Sequence, residues 1–94
     1  MWQIDEHRSL DKHLSRSVPI EVLKRYEKWK DIARLSGQQS LRAIKGFHDE
    51  ALADEWKGYR SSRLGLTWRV IYRVFSKVLQ IQVVEVTPHD CRRP

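Results

Sequence analysis

A chain of 94 residues with a single cysteine, Cys91, and a formal charge of +6 is expected to fold as one small domain spanning residues 1–94. One cysteine excludes an internal disulfide and cannot by itself supply a zinc site, so we expect neither. No apolar stretch approaches the roughly 20 residues that span a bilayer, and the amino end lacks a charged-then-apolar signal pattern. We therefore expect a cytoplasmic protein with no membrane partner and no cofactor.

The positive charge favours an acidic partner, most often nucleic acid, although it could serve solubility alone. It is concentrated in the second half of the chain. Residues 56–84 contain no acid and six basic residues: Lys57, Arg60, Arg63, Arg69, Arg73 and Lys77.

The first half of the chain predicts one strand and two helices. Residues 2–5 alternate apolar and polar, which is typical of a short strand that pairs with the later sheet. In residues 9–15, Leu10 and Leu14 are four apart and predict a short helix with one apolar stripe. A longer helix over residues 19–35 is indicated by apolar side chains at spacings of three and four: Val22, Tyr26, Trp29 and Ala33.

Both ends of the longer helix carry signals of their own. Ser17 is predicted to cap its start, with Pro19 in the first turn, where no amide partner is needed. The helix is predicted to end at Ser36 and Gly37, because glycine readily adopts the left-handed closing conformation.

Residues 38–55 show no steady period, and we interpret them as an irregular connection with one helical turn near Leu41. Loops of this length within a small domain are often functional. This one carries four acids directly before the basic part of the chain: Asp49, Glu50, Asp54 and Glu55.

Residues 56–90 are predicted to form three strands, because they are rich in Val, Ile, Tyr, Trp and Phe. Turn-like breaks fall at Gly65 and at Ser76 and Lys77. Connections this short join antiparallel neighbours.

Alternation along these strands predicts two different faces. In residues 68–75, one face would pack on the core: Trp68, Val70, Tyr72 and Val74. The opposite face would carry Arg69, Ile71 and Arg73. In the preceding strand, one face would carry Lys57, Tyr59, Ser61 and Arg63. We infer a sheet with helices behind it and a basic front that meets an anionic partner.

Three motifs carry a family resemblance: GFHDEALADEWKGYRSSRL from residue 46, WRVIYRV from residue 68, and EVTPHD from residue 85. They resemble the RelE/ParE superfamily of toxins from bacterial type II toxin–antitoxin systems, nearest to its YoeB and YafQ branches. The resemblance covers residues 44–94 closely and the helical first half in outline. It implies an α+β fold, with helices packed on one face of a twisted antiparallel sheet of about four strands.

The same resemblance implies an activity and its partners. The typical family member is a metal-independent endoribonuclease that cleaves messenger RNA in the ribosomal A site. Attack by the ribose 2′-OH would leave 2′,3′-cyclic phosphate and 5′-OH ends. The implied partners are the ribosome with its 16S rRNA, the messenger RNA, and a cognate antitoxin that neutralises the toxin. The toxin–antitoxin complex would bind operator DNA through the antitoxin.

Four residues match catalytic positions of the family. Glu50 matches the YoeB-type general base, and Arg69 would hold the scissile phosphate through its planar fork of donors. Arg63 would steady a flanking phosphate or the transition state. His89 would be the general acid, because an imidazole gives up a proton readily near neutral pH.

Each of these roles has a plainer alternative. Glu50 could be one solvated acid among the four of its loop, and Arg69 could form a cross-strand ion pair with Glu55. His89 could be an exposed residue of the tail, or one that caps a backbone carbonyl.

Six further residues are assigned to RNA or ribosome contacts: Lys57, Tyr59, Arg60, Arg73, Arg92 and Arg93. Asp90 stands where YoeB relatives carry an aromatic residue after the histidine. Stacking on a base would then fall to Tyr59, which the alternation places on the front, or to Tyr72, which it places in the core. The tryptophans Trp29, Trp56 and Trp68 are interpreted as core or core-edge residues.

Two other functions stay open. A ParE-like toxin on the same fold would inhibit DNA gyrase by binding, without RNA chemistry. A non-catalytic basic module would bind RNA or an acidic protein and have no toxic role.

Overall fold

The computed structural model describes residues 1–8, 10 and 18–88 of the chain. Within them lie strand β1 (Gln3–Glu6), helix α1 (Ile20–Ser36) and helix α2 (Gln38–Ala43). Four more strands follow, namely β2 (Glu50–Ala51), β3 (Arg60–Arg63), β4 (Arg69–Phe75) and β5 (Gln80–Thr87). Short 3-10 turns cover Lys45–Phe47, Asp54–Trp56 and Ser76–Val78. The helix predicted over residues 9–15 lies largely outside the described residues.

The described strands form one sheet in the order β1-β5-β4-β3-β2. Strand β1 runs parallel to β5, and the other neighbours are antiparallel. The predicted α+β class is confirmed, and so is the pairing of the first strand with the later sheet. The sheet has five described strands rather than about four, because part of the predicted irregular connection pairs with β3 as the two-residue strand β2.

Helix α1 supplies the layer behind the sheet, and its predicted apolar positions are all buried: Val22, Tyr26, Trp29 and Ala33. The helix begins at Ile20, one residue later than predicted, and the carbonyl of Pro19 accepts the amides of Val22 and Leu23 at 3.0 Å each. The predicted cap Ser17 lies outside the described residues.

The predicted helix end at Gly37 is confirmed. Gly37 has a φ of 69°, and its amide donates to the carbonyl of Ala33 at 2.8 Å. A side chain there would overlap the indole of Trp2. Glycine is therefore required both for the turn and for the close approach of the amino-terminal segment.

The core lies between α1 and one face of the sheet. Trp29 stacks on Tyr26 with ring centroids 5.9 Å apart, and meets Tyr72 of β4 edge-on at 5.1 Å. The predicted core positions of β4 contribute to this cluster, together with Ile81, Val83 and Val86 of β5. Trp68 is half-buried against the same cluster, as predicted.

The segment after α1, predicted as an irregular connection over residues 38–55, contains more regular structure than the sequence predicts. Residues 38–43 form α2 rather than a single turn near Leu41, and Leu41 is buried in the core. A 3-10 turn then buries Phe47 before the chain reaches β2. This segment thus packs on the core and places residues 49 and 50 at the edge of the sheet.

Candidate functional site

The strand registers assign the side chains of the sheet to two faces. Residues opposite each other in paired strands point to the same side. The side occupied by Val70 and Tyr72 faces α1, and we call the other side the front face. One row of the front face runs across the sheet through Arg63, Arg69 and Thr87. The next row contains Glu50, Ser61, Ile71 and Glu85.

Two arginines stand directly opposite each other in the first of these rows. Arg63 of β3 pairs with Arg69 of β4, and like charges at such positions repel. Arg69 is only 9% exposed, and its Nη1 donates to the carbonyl of Thr67 at 3.4 Å. Among the described residues neither arginine forms an ion pair, so the alternative pairing of Arg69 with Glu55 is not observed. The two guanidinium groups thus share one row of the front face without an acidic partner among the described residues.

Glu50 lies on the same face, in the row beside the arginine pair. Adjacent rows are about 6.6 Å apart along a strand, and neighbouring strands are about 4.8 Å apart. Side chains as long as glutamate and arginine can therefore meet one small group placed above β3. The structure thus places Glu50 on the same face as Arg63 and Arg69. Their roles in catalysis stay predictions.

Asp49 and Glu50 are neighbours in sequence but point to opposite sides of the sheet. The side chain of Asp49 points to the helical side and is 0% exposed. Oδ1 accepts from Nε of Arg60 at 2.8 Å and lies 2.8 Å from its Nη2, while Oδ2 accepts from Oγ of Ser62 at 2.6 Å. The hydroxyl of Tyr72 also donates to Oδ2. Glu50 is the first residue of β2 and pairs with Ser61, so its side chain lies on the front face.

These contacts change the titration of two members of the network. Burial raises the pKa of the Tyr72 phenol, and the charge of Asp49 and the hydrogen bond to it raise it further. For Arg60, burial acts to lower the pKa, but the hydrogen bond and charge of Asp49 outweigh burial and raise it. Both groups therefore hold their protons more firmly than in water.

Arg60 was assigned to RNA or ribosome contacts from the sequence, and that role stays a prediction. It lies opposite Tyr72, so it faces the helical layer rather than the front. Its side chain is 21% exposed and is occupied by Asp49. Arg60 therefore does not share the front face with Arg63 and Arg69. The same alternation that puts Tyr59 and Arg63 in front would have placed it behind.

The other predicted contacts fall in three places. Tyr59 and Arg73 are together on the front, with the Arg73 guanidinium 5.2 Å from the centre of the Tyr59 ring. Lys57 is exposed in the turn before β3. Tyr72 is buried on the helical side, which excludes it from stacking on a base. His89, Arg92 and Arg93 lie outside the described residues, as do Asp90 and Cys91.

Sequence reasoning missed Asp49 and Ser62. The sequence of β3 does contain a signal for a buried acceptor. Arg60 and Ser62 are two apart, so both point to the core side, where their polar groups need a hydrogen-bond acceptor. Asp49 is one of four acids in its loop, and nothing local distinguishes it from the others.

Within the described residues no cluster of three or more His, Cys, Asp or Glu side chains could hold a metal ion. None of the helices described there has the length and apolar character of a membrane span.

By sequence, the chain matches no family model and no curated protein. By structure, it matches the archaeal RelE–RelB complex from Pyrococcus horikoshii OT3 with a TM-score of 0.72 and 25% identity, over 98% of this chain and 96% of that one. The chain has the RelE/ParE fold. A YoeB dimer from Staphylococcus aureus matches this RelE-like chain with a TM-score of 0.71 and 18% identity, over 95% of this chain and 98% of that one. YafQ from E. coli matches with a TM-score of 0.70 and 16% identity, over 92% of this chain and 91% of that one.

The comparisons confirm the predicted resemblance at the level of the fold. RelE-like, YafQ and YoeB structures superpose on nearly the whole chain, including the helical first half, which the motifs covered only in outline.

Replacing Asp49 by Ala should lower the free energy of unfolding by about 3 kcal/mol, because removing the carboxylate leaves a half-buried guanidinium and two hydroxyls without their shared acceptor. Urea denaturation followed by tryptophan fluorescence measures the change. Glu55→Ala is the matched control: it removes an exposed acid from the same segment and should change stability by less than about 0.5 kcal/mol. Equal effects of the two substitutions would contradict the role of the network.

Stability should fall steeply at alkaline pH, and Tyr72→Phe should make that fall shallower. Above pH ~10 the unfolded chain releases the phenol proton that folded Tyr72 keeps, so the unfolding free energy drops by up to about 1.4 kcal/mol per pH unit for this residue. Burial and a hydrogen bond to Glu6 also raise the pKa of Tyr26, and Tyr26→Phe should have a similar effect. Urea denaturation at several pH values above 9 measures the slopes. Parallel curves for wild type and both variants would refute this linkage.

Proposed function

We propose that this chain is the toxin of a type II toxin–antitoxin system and cleaves messenger RNA on the ribosome. Its structural neighbours include a YoeB/ParE toxin from Agrobacterium tumefaciens and the E. coli DinJ–YafQ toxin–antitoxin complex. The observation that carries the proposal is the front face itself. It sets two opposed arginines without acidic partners among the described residues beside the carboxylate of Glu50.

The arginine pair would hold the scissile phosphate. Guanidinium groups bind phosphate oxygens through parallel hydrogen bonds and stabilise the charge that develops as the phosphorus becomes five-coordinate. Arg69 is held by its neighbours and only slightly exposed, so it needs little reorganisation to do this. A bound phosphate would also relieve the repulsion between Arg63 and Arg69.

Glu50 would act as the general base. It removes the proton from the ribose 2′-OH, whose oxygen then attacks the adjacent phosphorus. The bond from phosphorus to the departing 5′ oxygen breaks, and His89 protonates that oxygen. The products are a 2′,3′-cyclic phosphate and a 5′-OH, and the reaction needs no metal or other cofactor.

The partners follow from the same scheme. Messenger RNA in the ribosomal A site and 16S rRNA would meet the basic front through Arg73 and Lys57, and we assign Arg92 and Arg93, which lie outside the described residues, to the same contacts. A cognate antitoxin would neutralise the toxin in the cytoplasm and carry the complex to operator DNA. Binding to ribosomes should weaken as salt rises, because phosphate contacts release counterions.

The proposal is tested by primer extension on a short message, with and without ribosomes. Wild type should cut only when ribosomes are present. Glu50→Ala and Arg69→Ala should each slow cleavage by about 100-fold or more, since each removes a group that acts in the transition state. His89→Ala should slow it as well. The matched controls are Glu55→Ala, an exposed acid outside the sheet, and Arg25→Ala, an exposed cation on α1.

Both controls should cut at nearly the wild-type rate, and urea denaturation should show that every variant remains folded. A message left intact by wild type under all conditions would refute the nuclease. If cells were still poisoned in that case, inhibition of DNA gyrase would be the next activity to measure.

A further inference from the structure

A group of aromatic rings and one cation occupies the front face on the other side of Glu50 from the arginine pair. Trp56 meets Tyr59 edge-on with centroids 5.4 Å apart. The guanidinium of Arg73 lies 5.2 Å from the centre of the Tyr59 ring and 4.8 Å from that of Phe75. We call these four residues the aromatic ladder.

Arg73 is held firmly within this ladder. Its Nε donates to Oε1 of Gln82 on the neighbouring strand at 3.1 Å, and its plane is flanked by two rings. Cation–π contacts of this kind fix the side chain without neutralising its charge. Among the described residues no acid pairs with Arg73, so its remaining N–H groups can serve a ligand.

Phe75 ends the ladder and is unusually open for an aromatic side chain. It is 37% exposed, at the last residue of β4, and the strand turns into a 3-10 segment directly after it. A ring with one face against a cation and part of its surface in water offers a flat apolar platform. Every base has a π-face that fits such a platform, whatever its sequence.

The distance between the aromatic ladder and the arginine pair indicates how long a ligand must be to touch both. Arg69 and Arg73 are four residues apart on the same strand face, which corresponds to about 13 Å. Glu50 lies in the row between them. A ligand that touches both ends must extend over more than a single phosphate group, and a short single-stranded segment of RNA does so.

We propose that Phe75, with Arg73 and Tyr59 behind it, is a stacking site for an unpaired base of the RNA whose scissile phosphate binds Arg63 and Arg69. The inference rests on the proposed function, because it takes RNA to be the ligand of the front face. It assigns an RNA role to Phe75, which the sequence motifs do not single out.

The test compares two probes by fluorescence anisotropy without ribosomes: a labelled 2′-O-methyl adenosine heptamer, which 2′-OH attack cannot cleave, and an abasic oligomer of the same length. Wild type should bind the heptamer more tightly. Phe75→Ala should weaken binding of the heptamer by about 10-fold, because one stacked base contributes on the order of 1–3 kcal/mol, and leave the abasic oligomer unaffected. Arg73→Lys should keep the salt dependence and lose the preference for bases.

The matched control is Val78→Ala, which removes an apolar side chain that is 66% exposed on the same hairpin. It should change neither affinity. Three results would overturn the proposal: no preference for the heptamer in wild type, equal losses for Phe75→Ala and Val78→Ala, or equal losses for both probes in Phe75→Ala. A preference for bases that depends on Phe75, found in a protein that cuts no message, would support the stacking site and refute only the nuclease.

Discussion

The carboxylate of Asp49 has no contact with solvent, and a buried charge is tolerated only where it is paired and hydrogen-bonded. Arg60 and Ser62 of β3 and Tyr72 of β4 meet that requirement together. Tyr72 in turn contacts Trp29 at the centre of the core. One acid thus ties the long connection to two strands and, through them, to α1. These contacts add to the backbone pairing that holds β2 against β3 at the sheet edge.

This constraint explains how one small domain separates its charges. On the helical side, the cation Arg60 is neutralised by a buried partner. On the front, Arg63 and Arg69 are left facing each other, an arrangement that costs stability unless an anion is bound. Glu50 lies in front because it pairs with Ser61, while its neighbour Asp49 is held behind. The features that stabilise the fold and those that would bind RNA are therefore alternate residues of the same short strands.

The sequence predicts what depends on local periodicity and turn chemistry. Helix α1, its end at Gly37 and the two faces of β4 all follow from spacing along the chain. Strand β2 cannot be predicted in this way, because two residues are too few to show a period. Its pairing is also not local: Glu50 pairs with Ser61, 11 positions further along the chain. Asp49 was equally hidden, since its partners lie 11, 13 and 23 residues further on.

In the proposed mechanism, the front face promotes attack by a ribose hydroxyl on the phosphate held between Arg63 and Arg69. The most direct measurement uses a ribosome-bound message in which the nucleotide on the 5′ side of one mapped cut carries 2′-deoxyribose. We expect cleavage at that position to disappear while cuts at unmodified positions persist, because only the modified site lacks the nucleophile. Undiminished cleavage at the deoxy position would contradict the account.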